Sequence, residues 1–216
     1  MNISSIHRTI LKVFIVIGIS MFGIWVDGNL QAQLKYSPDS DSRIWIEGSS
    51  NVNQFTCTAE RYEGEAQLPG EAAGSDNQMT DDGLILEFRI PVQSFECGRS
   101  RMNRDLYNAL KAGEFLYISF EYKDAINITP ATDQPGVFTL EIAGTLTVAG
   151  TSREILFDAQ GHVLDNMRLR ANGKKEIRMT DFDVEPPTGL LGMVRARDRL
   201  TVHFDLFASP DPDSQL

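Results

Sequence analysis

From residue 84 to residue 206 the chain keeps returning to one pattern, an apolar side chain at every second position, and no other feature limits its fold as much. Successive side chains of a strand point to opposite faces, so a period of two marks a strand with one buried and one solvated face. Leu84, Leu86, Phe88, Ile90 and Val92 share one face, opposite Ile85, Glu87, Arg89 and Pro91. Leu116, Ile118, Phe120 and Tyr122 repeat it, as do Phe138, Leu140, Ile142, Gly144, Leu146 and Val148, and finally Leu200, Val202, Phe204 and Leu206. Weaker strands are predicted over 43–47, 52–59, 153–160, 163–171 and 174–180, for about eight or nine in all. Ala149-Gly150-Thr151-Ser152 reads as a short turn, and Asn172-Gly173 is the dipeptide preferred in type I′ hairpins. Residues 103–113 alone read as helix, with polar residues at the start and Gly113 at the end. The stretch 63–82, acidic and Gly-bearing, reads as a loop joining two strands. These elements predict an all-β antiparallel fold, either a sandwich or a closed barrel, and alternation does not choose between them.

The two ends read differently. A basic start with His7, Arg8 and Lys12 precedes an apolar run from Val13 to Val26 and then the polar Asp27-Gly28-Asn29-Leu30-Gln31-Ala32. That order is a secretory signal peptide, and the run is shorter than the ~20 apolar residues a spanning helix needs. The expected organisation is a cleaved signal over 1–32, a polar leader over 33–42, one domain over 43–208 and a disordered tail over 209–216. The mature form is expected in the periplasm or secreted, with no stable membrane span. Lys and Arg number 20 against 30 Asp and Glu, a net charge of −10, which argues against nucleic acid as a partner because phosphate binding needs a basic surface. The two cysteines, Cys57 and Cys97, are sent by the signal to a compartment where disulfides persist. A bridge between them would contribute about 4 kcal/mol on the chain-entropy model. Two separate buried thiols are the alternative.

Four segments together resemble the YceI-like family of exported lipid-binding barrels. They are Trp45 to Phe55; Ile90 to Phe95 continuing into Met102 to Leu106 and Phe115 to Phe120; Gly144 to Arg153, similar to the family's Gly-x-Leu-Thr-x-x-Gly-x-Thr hairpin; and Met179-Thr180-Asp181-Phe182, similar to its Ser/Thr-Asp-Phe corner. The resemblance implies an eight-stranded antiparallel up-and-down lipocalin-like barrel with one short helix, holding a long isoprenoid chain in its lumen. The chain departs from the family pattern near Ser50-Asn51, where a His-Ser pair is common, at Leu116, where Pro is usual, and in having Cys57 and Cys97. A head-group contact from that His is therefore not carried over.

In such a barrel the apolar faces become the lumen, and the candidate lipid-binding set is Phe55, Leu86, Phe88, Ile90, Phe120, Phe138, Leu140, Ile142, Leu146, Phe157, Val202 and Phe204. The same alternation would arise in a barrel packed solid by its own side chains. Each buried methylene is worth about 0.8 kcal/mol, so ~20 carbons yield on the order of 16 kcal/mol before an association cost of roughly 4–15, and useful affinity needs no charged anchor. Arg99, Arg101 and Arg104 beside Met102 are candidates for a phosphate or quinone head group, although such residues more often cap a loop in solvent. Beyond residue 32 the histidines are His162 and His203, far apart in sequence, and there is no Gly-x-Ser-x-Gly elbow, His-Glu-x-x-His pair or zinc spacing. His203 is expected to face solvent, Asp181 and Asp183 to form a turn, and Asn127-Ile128-Thr129 to stay an unmodified glycosylation triplet. No enzyme, metal or cofactor is expected. The reading is a non-enzymatic carrier or sequestering protein for an apolar lipid in the cell envelope, with a solidly packed envelope interaction module as the alternative; a homodimer is compatible with either.

Overall fold

The computed structural model describes residues 33–69, 84–189 and 193–212. The expected signal peptide, residues 70–83 and the last four residues of the expected tail lie outside them. Eight antiparallel strands form a closed ring in the order β1 (Gln33–Pro38), β4 (Glu63–Pro69), β5 (Ile85–Pro91), β7 (Tyr117–Pro130), β8 (Val137–Val148), β9 (Thr151–Val163), β10 (Leu169–Arg178) and β12 (Val194–Pro210), and β12 pairs back to β1. Each strand of the ring thus has a neighbour on both sides, the β9–β10 ladder being the short one, from Leu169↔Val163 to Gly173↔Ala159.

The first strands of the chain bend rather than run straight. β2 (Arg43–Ser50) continues β1 along one edge of β12, which pairs with β1 through Ala208–Pro210 and with β2 through Ala196–Asp205. In the same way β3 (Gln54–Ala59) lies against β2 and leads into β4, while β5 leads through a 3₁₀ turn at Val92–Ser94 into the short β6 (Phe95–Glu96) against β3. A short β11 (Thr188–Gly189) flanks the start of β12.

The buried core gathers at one end, where Ile44, Ile46, Ala59, Val92, Phe95, Val148, Phe182, Val184 and Leu200 meet. Helix α1 (Ser100–Ala109) covers that end, packing Met102, Leu106, Tyr107 and Ala109 onto it, with Leu110 and Ala112 buried behind. Lys111 is left-handed (φ 52°) and stops the helix four residues before Gly113, a shorter and earlier helix than the predicted one. Cys57 and Cys97 form a disulfide, which joins β3 to the link between β6 and α1 at this floor. The 148–151 hairpin turns as expected, with Ala149 (φ 48°) and Gly150 (φ 81°) both in the positive-φ region a two-residue turn requires.

Four expectations are corrected. The polar leader is strand β1 plus a bend, and its polar groups are used: the Ser42 hydroxyl donates to the Phe207 carbonyl and accepts from the Phe207 amide (2.9 Å each), and the Tyr62 hydroxyl reaches the carbonyls of Asp39 and Ser42. Within the expected tail, Ser209 and Pro210 complete β12 against β1, and the Asp211 amide donates to the Lys35 carbonyl. Glu63–Pro69, read as loop, is strand β4. Asn172-Gly173 lies in the middle of β10, because pairing with β9 on one side and β12 on the other outweighs its local turn preference; the break falls instead at 164–168, where Asn166 and Met167 are both at φ 58°.

The Met179–Phe182 3₁₀ corner is fixed by Asp198 of β12, whose carboxylate accepts from the Thr180 amide (2.9 Å) and hydroxyl (2.8 Å). The Thr180 amide holds that carboxyl below the ordinary aspartate value. A folded-state pKa below the unfolded one adds stability that is complete above the unfolded value, about 3.9, and is lost as pH falls through the lower folded one. Asp198→Asn is therefore expected to lower stability by about 1 kcal/mol at neutral pH, a melting shift of roughly 2–4 °C. The deficit should shrink in thermal melts at an acidic pH below about 3.9. An equal deficit at both pH values would contradict the assignment.

Candidate functional site: an apolar lumen with a helical floor

The ring encloses a cavity of about 390 Å³, lined almost wholly by apolar side chains and floored by Phe95, Leu106, Ala109, Leu110, Met179 and Phe182. Of the twelve candidate residues, eleven line it together: Leu86, Phe88, Ile90, Phe120, Phe138, Leu140, Ile142, Leu146, Phe157, Val202 and Phe204. Phe55 does not line it. Its ring lies across Gly48 and packs into the floor core beside Leu200. The lumen is thus not filled by its own side chains. Residues that alternation missed include Tyr36 and Leu68 on β1 and β4, Ile44 and Ile46 on β2, and Ala171, Lys175 and Ile177 on β10. Their strands are short, bent or interrupted by polar and small residues, so no clean period marks them.

The bore depends on pairing phenylalanine with glycine across neighbouring strands. Gly64 lies opposite Phe88, Gly161 opposite Phe138 and Gly173 opposite Phe204, and in each case a Cβ on the glycine would stand within 2.7 Å of the ring. Gly144 takes the Phe120 ring in the same manner, at 2.3 Å. A glycine lets the ring lie against the wall instead of projecting into the lumen. Phe120, Phe157 and Phe204 then meet edge to face, with centroids 5.7 and 5.6 Å apart, as an aromatic arc along one side.

At the end away from the helix, Arg168 bridges Asp39 and Asp41, and Arg170 grips Asp205 with two parallel bonds of 2.7 and 2.9 Å; both guanidiniums lie over the Phe207 ring. The Arg168 pairs tie the 164–168 link to the β1–β2 bend, and the Arg170 pair ties β10 to β12. Arg99, Arg101 and Arg104 do not line the cavity, and Arg101 pairs with Asp105 along α1 at 3.9 Å. His203 points outward but is not solvated as expected: it stacks on Trp45 at 4.9 Å between centroids, with Nε2 buried 3.1 Å from Glu47 Oε2, outside hydrogen-bond alignment. Asp183 is a turn residue (φ 55°) that accepts from the Thr151 hydroxyl, and the Asp181 carbonyl takes the Arg153 guanidinium. Among the described residues, no three His, Cys, Asp or Glu side chains are grouped to hold a metal ion, and no helix is long and apolar enough to cross a membrane.

A closed eight-stranded antiparallel barrel with a helical floor and an apolar lumen defines a lipocalin-like binding barrel. The chain belongs to the YceI-like family, whose YceI-like domain matches residues 37–208. Solved structures with this fold include BcnA of Burkholderia cenocepacia (TM-score 0.60, 17% identity, covering 79% of this chain and 100% of that one). A polyisoprenoid binding domain from Saccharophagus degradans, implicated in plant cell wall breakdown, gives a TM-score of 0.61 at 14% identity over 82% of this chain and 99% of that one. The YceI protein of Campylobacter jejuni gives 0.51 at 15% over 72% and 84%. At these identities the likeness is one of fold. No curated protein matches the chain.

Proposed function

We propose that the protein is exported and binds a long apolar lipid chain, an isoprenoid or similar, in its lumen, carrying or sequestering it in the cell envelope. The observation that carries this reading is the apolar cavity itself, whose volume of about 390 Å³ falls in the usual range of small-molecule sites, about 300–1,000 Å³. Transfer of methylenes out of water supplies affinity at about 0.8 kcal/mol each, and the glycine-backed rings keep the bore open for them. The shared fold with the polyisoprenoid binding domain supports the choice of chain type. Export rests on the order of residues 1–32. The test is mass spectrometry of an organic extract of purified protein, followed by titration with polyprenols. A copurifying single-chain lipid that polyprenols displace is the expected result; an empty extract together with no polyprenol binding would overturn the reading.

A further inference from the structure

The barrel wall is not continuous. β8 and β9 pair along their whole length, from Val148↔Thr151 to Val137↔His162, and β10 and β12 pair from Leu169↔Ala208 to Arg178↔Arg199. Between them, β9 and β10 pair only over Leu169↔Val163 to Gly173↔Ala159. From there toward the floor both strands run on, β9 back to Thr151 and β10 forward to Arg178, without ladder pairing. Ile155 and Phe157 on one side of this seam and Lys175 and Ile177 on the other all line the lumen. Near the floor the seam is crossed by Arg153, which donates to the Asp181 carbonyl at 2.8 Å.

Lys175 is the residue in the seam whose chemistry does not match its surroundings. Its register partner is Val202, a lumen residue, so the stem of the lysine sits on the inner face of the wall. Its ammonium spans the seam to the Leu156 carbonyl at 2.6 Å, and among the described residues no carboxylate makes an ion pair with it. Arg170, the other cation on the cavity lining, is paired with Asp205, and Arg168, Arg199 and Lys123 also face acidic partners. An ammonium at the edge of an apolar cavity, whose one protein partner is a neutral carbonyl and whose hydrogen bond lies open to solvent, is complemented by an anion that arrives with the ligand.

We propose that Lys175, set in this lateral seam, binds the anionic head, a phosphate or a carboxylate, of a single-chain lipid whose tail lies in the lumen. The seam leads polar atoms to solvent while the apolar wall keeps the tail dry. From the level of Val202 to Ala208 the tail has about 20 Å of lumen-facing strand to follow at ~3.3 Å per residue. The proposal rests on the lumen reading above, and names the head-group chemistry which that reading leaves open.

The test uses the full mature chain with two fluorescent probes of the same tail, cis-parinaric acid and its methyl ester. Wild type is expected to bind the acid about tenfold or more tightly than the ester, the scale of one hydrogen bond to a charged group. Lys175→Met should lose that preference, read as the ratio of acid to ester affinity falling to about one, and Lys175→Arg should keep it. Acetate and inorganic phosphate in excess should leave acid binding intact, because the anion is held as part of an amphiphile; displacement by either would overturn the proposal in favour of a free-anion site. Equal binding of acid and ester to wild type, or a preference that survives Lys175→Met, would overturn it while leaving the lumen reading standing. Binding of neither probe would bring down both.

Discussion

Ala171→Phe should abolish most lipid binding without unfolding the barrel. Ala171 lies on β10 opposite Leu206 and Gly161, on the wall of the lumen away from the helical floor. A phenyl ring there extends from the cavity lining beside the Phe138 ring that lies on Gly161, and it occupies the path of a threaded chain. Displacing three or four methylenes at about 0.8 kcal/mol each removes roughly 3 kcal/mol, which is on the order of a hundredfold in affinity. The ring also buries its own apolar surface, so the ligand-free melting temperature is expected to hold or rise. Ala143→Phe is the matched control: Ala143 sits between Ile142 and Gly144 on β8 with its side chain on the outer face, beside the exposed Leu156, and it does not line the cavity. Polyprenol titration and melting of the two variants give opposite patterns if the chain occupies this part of the lumen. Wild-type affinity in Ala171→Phe would mean that it does not.

The sequence was most legible where each strand carries a full alternation of its own. β5, β7, β8 and β12 were readable for that reason, and their inward residues supply most of the lumen. β1 and β4 were not, because Gln33–Pro38 and Glu63–Pro69 have too few apolar positions to show a period; each is a strand only because a partner distant in the sequence supplies the ladder. Tyr36 is 2% exposed, yet nothing local to it announces burial. The Asn172-Gly173 dipeptide misled in the opposite direction, since a strong local turn signal is overruled by pairing on both flanks. Gly173 is there to receive the Phe204 ring, a role that only the cross-strand register reveals.

The candidate site divides along the same line. Phe55 satisfied the pattern but belongs to the floor, because β3 lies where the barrel is packed rather than open. Lys175 broke the pattern, and a lysine between Gly173 and Ile177 reads as a solvated position until the strand is seen to face inward. Periodicity therefore found the apolar wall, while Lys175, the cation on that wall with no ion pair among the described residues, required the register of β10 against β12 and the loss of pairing with β9. The arginines singled out for their clustering, Arg99, Arg101 and Arg104, lie outside the lumen around α1.

Removing the disulfide should have the largest effect on stability. Cys57 and Cys97 are 40 residues apart, and closing a loop of that size in the unfolded chain is worth about 4 kcal/mol on the chain-entropy model. For a domain of this size that is a fall of roughly 10 °C in melting temperature. Both half-cystines are buried in the floor core with Phe95 and Val92, and the bridge is what holds the β6–α1 segment to β3. The paired variant Cys57→Ala/Cys97→Ala avoids leaving a lone thiol and should show the full loss, while wild type in reductant should fall to the same melting temperature. Because α1 covers the lumen at this end, hydrogen exchange is expected to accelerate first in Ser100–Ala109 and last in β8 and β9, which are held by long ladders on the far side. Lipid should restore part of the lost stability by binding only the folded state, by an amount that grows with its concentration. A melting temperature unchanged in the double variant would show that the floor packs without the bridge.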